Sequence, residues 1–140
     1  MYVDKELLFT ATAMDLSTTS GSVVYGDCAI NLSANTDIGK GRTVYAVFVI
    51  DVAMASANST GTVVFAVVDE EDNEIDSGSV EIVQTDPLLV TRLTEGKVIA
   101  IPIPANLITQ QYLGVRATIG GETTTAGTCT AFLALEAQTN

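Results

Sequence analysis

The densest concentration of reactive side chains in the 140-residue chain is Asp69-Glu70-Glu71-Asp72-Asn73-Glu74-Ile75-Asp76, six carboxylates in eight residues. Carboxylates at such density suit a hard cation or acid–base work. The run lacks the Asp-x-Asp-x-Asp-Gly spacing of a calcium loop, however, and it falls where a hairpin between two strands is expected. A solvated turn is the better reading. Cys28 and Cys129 lie about a hundred residues apart, with no Cys-x-x-Cys spacing and no histidine in the chain to complete a metal site. They read as free, buried thiols, with a disulfide open only if the first and last strands are neighbours. Without histidine, the usual base of Ser and Cys nucleophile systems is missing. A two-carboxylate glycosidase needs no histidine, but nothing marks a pair, and the chain has no Trp to stack on a sugar. Gly39 and Gly41 read as a turn and not a phosphate cradle, because no Lys-Ser/Thr helix start follows them. No enzyme, cofactor or metal is expected.

The elements that position these residues are strands. Residues 43–53 (Thr-Val-Tyr-Ala-Val-Phe-Val-Ile-Asp-Val-Ala) and 61–68 (Gly-Thr-Val-Val-Phe-Ala-Val-Val) are apolar at odd and even positions alike. A half-solvated antiparallel strand alternates apolar with polar residues, so both faces of these two must be covered. The chain has no long amphipathic helix to do this, which leaves a second sheet of the same domain or another protein as the cover. Further strands are expected at 23–32, 75–84, 97–103, 111–119 and 127–137, with turn residues between them: Gly39-Lys40-Gly41, 57–61, Asp72-Asn73, Glu95-Gly96 and Gly120-Gly121. This spacing predicts an all-β jelly roll or β-sandwich. Residues 86–89 fit either a short helix or an extended crossing. Residues 1–20, Thr/Ser-rich and polar, read as a flexible N-terminal arm that orders on a partner, followed by one domain over 21–140. Period two places Val47, Val49, Val64, Ala66, Leu113, Val115, Phe132 and Leu135 in the core, subject to a slip of one residue. Pro102 confines its strand to a sheet edge.

Seventeen acidic against six basic residues give a net charge of −11, which repels nucleic-acid phosphate and anionic membrane. No secretory signal is visible, and the longest apolar run falls short of the ~20 residues of a membrane span. The expectation is a soluble protein made in a cytoplasm. Of the residues on strands apolar on both faces, Tyr45 and Phe48 project to opposite faces. They are the candidate interface residues, with Ile101 and Ile103 on the proline-bearing strand.

Several pieces in this order resemble a known family. They are Met1-Tyr2-Val3-Asp4-Lys5; Asp37-Ile38-Gly39-Lys40-Gly41 leading to Tyr45; the hairpin with Asp72-Asn73; Leu93-Thr94-Glu95-Gly96 before Ile101-Pro102-Ile103-Pro104; Tyr112-Leu113; and Thr125-Ala126-Gly127-Thr128 with Ala131-Phe132-Leu133-Ala134-Leu135. Together they are similar to the jelly-roll capsid cement (decoration) proteins of tailed bacteriophages, of the type found on a Bordetella phage. The Thr-rich segment 16–22, both cysteines and the acidic hairpin depart from that pattern. The resemblance implies a virion protein on the outer surface of an icosahedral shell, bridging major capsid protein subunits; the apolar sheet face bearing Tyr45 or Phe48 leads separately to the expectation of a homo-oligomer, a dimer or trimer. A fibre or receptor-binding β-sandwich of the same kind of virus is the rival reading. A glycan array with specific hits would favour it.

Overall fold

A computed structural model of the chain describes residues 7–32 and 43–134. Ten strands run in chain order: β1 (Met14–Asp15), β2 (Val23–Tyr25), β3 (Ile30–Asn31), β4 (Val44–Ser56), β5 (Thr62–Glu70), β6 (Val80–Gln84), β7 (Leu88–Leu89), β8 (Val98–Ile103), β9 (Tyr112–Gly120) and β10 (Thr124–Ala134). The first sheet has the order β1-β10-β4-β8; the second has the order β2-β9-β5-β6, with β3 also on β9 and β7 also on β5. The pairings are nested. The chain folds in half at the β5–β6 hairpin, and successively outer segments then pair antiparallel: β4 with β8, β2 and β3 with β9, and β1 with β10. Because these pairs fall alternately in the second and first sheets, the doubled chain winds around the core as a jelly roll.

The core lies between the sheets. Ala46, Phe48 and Ile50 of β4 face Val63, Phe65 and Val67 of β5, joined by Leu113, Val115, Ala117 and Ile119 of β9. The Phe48 and Phe65 rings pack with centroids 4.8 Å apart, tilted by 42°, within the range that favours aromatic pairs. On β9 the expected phase holds. On β4 and β5 it is shifted by one: Val49 and Val64 point away from the intersheet core, and so do Val47, Ala66 and Phe132, although these three are buried. The reason is in the sequence. Strands apolar on both faces give no alternation from which to read the phase, whereas Tyr112, Arg116 and Thr118 mark the outer face of β9. Leu135 and the motifs at 1–5 and 37–41 lie outside the described residues.

The segment 7–20 is part of the sandwich and not an arm. Phe9 and Leu16 are fully buried and Met14 nearly so. Phe9 N donates to Ala131 O at 2.9 Å, and Thr18 and Thr124 exchange backbone and side-chain hydrogen bonds. Three apolar side chains at irregular spacing (9, 14, 16) carry neither helical nor strand periodicity, so the burial of this segment does not show in its composition. The strand expected at 23–32 is split into β2 and β3 around Asp27, whose carboxylate accepts Ala11 N at 2.6 Å and Thr12 N at 3.0 Å. Residues 86–89 take the extended form, ending in β7, and a 3-10 turn at Val90–Arg92 follows. Pro102 lies on β8, which is an edge strand.

The Thr-Ala-Gly-Thr sequence at 125–128 has a physical role. β10 shifts register against β4 three times between Thr124 and Cys129. Gly127 within this bulge has φ +138°, and a Cβ there would fall on Met54 Sδ.

Candidate functional site

The outer face of the first sheet is built by three strands in register. Tyr45, Val47 and Val49 of β4 stand beside Pro102, Ala100 and Val98 of β8 on one side. On the other side they stand beside Ala134, Phe132 and Thr130 of β10. Residues directly opposite in an antiparallel pair share a face, so these nine form one patch with no charged member. Val47 and Phe132 are buried, Leu8 lying beside Phe132 in an isolated bridge; Pro102 is exposed and the other six are partly exposed. Asp51 marks the patch's end, its Oδ1 3.5 Å from Thr130 Oγ1.

Of the four candidate interface residues, Tyr45 lies on this face. Phe48, Ile101 and Ile103 are turned into the intersheet core at 0%, 4% and 6% exposure, so in the folded chain they offer no contact surface. Val49, Val98 and Pro102 are its accessible apolar neighbours on that face. The placement of Tyr45 opposite Pro102 follows from the adjacency of β4 and β8, which no local pattern in the sequence announces.

The second sheet's outer face is different. The segment 71–79 between β5 and β6 folds back over it, with Ile75 (8% exposed) seated against Gly114. Val68 and Ala66, apolar on this outer side, are buried at 0% and 2%. The expected solvated turn is therefore corrected in part: Glu71, Asp72, Glu74 and Asp76 are exposed, but Asp69 and Glu70 are buried. Asp69 Oδ2 accepts Thr109 N at 2.9 Å and Gln110 N at 3.2 Å, fixing the loop that enters β9. Glu70 Oε2 accepts the Ser79 hydroxyl at 3.0 Å, and Asp76 Oδ1 accepts Gly78 N at 2.7 Å, closing the hairpin on itself. Beside it, Arg116 Nη2 pairs with Glu81 Oε2 at 2.6 Å.

At the end of the sandwich formed by the β4–β5 and β9–β10 turns, Glu122 acts as a clasp. Its carboxylate accepts Asn58 N at 2.9 Å, Asn58 Nδ2 at 2.8 Å, and Thr60 N and Oγ1 at 3.2 and 3.1 Å. The Ser56 hydroxyl and these donors hold its carboxyl down to about 2, against an opposing push from desolvation. Gly121 makes the close approach of the two turns workable: its φ is +72°, and a Cβ would lie 2.7 Å from Thr60 O.

Cys28 and Cys129 are free thiols. Burial pushes the Cys129 thiol up to about 12, so it is a protonated core side chain, 4.0 Å from Met14 Sδ. Among the described residues no three His, Cys, Asp or Glu side chains come together as a metal site, and no helix is long and apolar enough to cross a membrane.

The chain is thus an all-β jelly roll whose first sheet carries an uncharged patch on its outer face and whose second is roofed by a carboxylate-rich hairpin. Residues 10–133 match the Bbp16 family, and the chain belongs to it. This is a Bordetella phage family whose namesake is a capsid cement protein, which makes the chain a member of a phage structural-protein family. No curated protein matches the chain.

Proposed function

We propose that the protein is a cement protein that binds the outer surface of an assembled icosahedral phage shell and stabilises it by bridging neighbouring major-capsid subunits, acting as a homo-oligomer. The observation that carries this reading is the family match, which spans the body of the jelly roll from residue 10 to residue 133. Two physical features support it. A chain of net charge −11 is repelled by packaged DNA and suits the outside of the shell. Weak contacts repeated over a shell, or made by an oligomer to several subunits at once, gain strength through multivalency, so each contact can be small. The hairpin 71–79 faces away from the shell, since four exposed carboxylates are costly to desolvate without a matching cationic surface.

The test is cosedimentation of the purified protein with assembled shells that lack it. Saturable binding, with a raised disruption temperature of the decorated shells, is the expected result. Folded protein that stays in the supernatant at micromolar concentration would refute the proposal.

A further inference from the structure

We propose that Asn58 is a deamidation site governed by the Glu122 carboxylate, which makes the joint between the β4–β5 and β9–β10 turns a latch that opens once and does not re-form. Asparagine is a thermolabile residue. Its breakdown begins when the backbone nitrogen of the next residue reaches the side-chain carbon, which a small following residue permits. Of the six asparagines in the chain, Asn58 alone is followed by serine and none by glycine. It is exposed in the β4–β5 turn, and Ser59 is the one non-glycine residue among those described with a left-handed backbone, at φ +60°.

The folded turn holds both reacting groups. Asn58 Nδ2 donates to Glu122 Oε1 at 2.8 Å and Asn58 N to the same oxygen at 2.9 Å, which ties the carboxamide to the neighbouring turn. The nucleophile is tied as well, since Ser59 N donates to Ser56 O at 3.2 Å. Thr60 N and Gly61 N donate to Glu122 Oε2 and Ser56 Oγ, each at 3.2 Å, so every backbone donor from 58 to 61 has an acceptor. Ring closure must break the Nδ2 bond and turn the carboxamide toward Ser59 N, and Glu122 supplies most of the resistance.

When the turn opens, Ser59 N bonds to Asn58 Cγ, the Cγ–Nδ2 bond breaks, and ammonia leaves with the Ser59 amide proton. Water then opens the cyclic imide on either side of its nitrogen. The product is aspartate or, with the chain rerouted through the side chain, isoaspartate. Neither fits the clasp. A carboxylate at this position faces Glu122 Oε1 where a donor stood, and like charges at such range repel. Isoaspartate also lengthens the backbone by one atom, where the two turns already approach so closely that a Cβ on Gly121 would lie 2.7 Å from Thr60 O. This latch stands independently of the cement function.

The test is peptide mapping of the full-length protein during storage in mildly alkaline buffer, wild type beside Glu122→Ala. Asn73, exposed in the acidic hairpin, is the internal reference. Glu122→Ala is expected to convert Asn58 at least about tenfold faster than the wild type, the factor that loss of a hydrogen bond to a charged group carries, with Asn73 unchanged. Equal rates at Asn58, or an equal acceleration at Asn73 through general unfolding, overturns the proposal. If Glu122→Ala does not fold, wild type in urea takes its place, and conversion of Asn58 as fast in the folded protein as in the unfolded one overturns it. Asn58→Asp, which reproduces the aspartyl product, is expected to melt below the wild type; an unchanged thermal midpoint would refute the latch.

Discussion

Ile75 occupies the space that a side chain at Gly114 would need: its Cγ1 and Cδ1 lie 2.5 and 2.6 Å from where a Cβ on Gly114 would stand. The acidic hairpin is thus anchored by one apolar residue among its carboxylates, pressed onto a central strand that is bare at that point. Gly114→Ala is expected to displace Ile75 and cost about 1–3 kcal/mol, as overpacking does. Urea unfolding measures the loss, and faster amide exchange over 71–79 than in the wild type would trace it to the hairpin.

Phe48 and Phe65 join the two sheets at the centre of the core. Phe48→Ala should cost about 3–5 kcal/mol, the range for a fully buried aromatic side chain. A loss below about 1 kcal/mol by chemical denaturation would mean that the sheets do not meet there.

Asp69 is a structural carboxylate that holds a loop, although it reads in sequence as one of six hairpin acids. Asp69→Ala leaves the N–H groups of Thr109 and Gln110 without their acceptor and should cost about 1–3 kcal/mol. Changing Glu71, Asp72, Glu74 and Asp76 together to Asn or Gln, by contrast, should leave both the fold and shell binding intact, because these four are exposed. Thermal melts and cosedimentation separate the two cases.

Glu122 supplies an acid dependence of known sign. Its carboxyl titrates near 2 in the folded protein against an ordinary value of 4.5, so its contribution to stability is fully present above pH 4.5 and is lost as pH falls toward 2. Glu122→Gln should lower stability at neutral pH and flatten the decline between pH 4.5 and 2. Denaturation curves across that window check it, and an unchanged slope would contradict the clasp.

What could be read from the sequence depended on whether neighbouring residues differed in polarity. Strand positions and the all-β class were legible because β-branched runs alternate with turn residues. The inward phase of β9 was legible because Arg116 and Thr118 mark its outer side. On β4 the phase was not, since Tyr45, Ala46, Val47 and Phe48 carry no polarity contrast, and Phe48 therefore stood as an interface candidate although it packs on Phe65. Asp69, Asp27 and Glu122 were illegible for another reason: each bonds to backbone donors 15 to 64 residues away, which only the wound topology brings within reach.

Bridging of shell subunits from outside is tested most directly by electron cryomicroscopy of decorated shells. The expected map shows each jelly roll on the outer surface in contact with at least two major-capsid subunits, with hairpin 71–79 pointing to solvent. Density confined to one subunit, lying on the inner surface, or contacting the shell through that hairpin would contradict it.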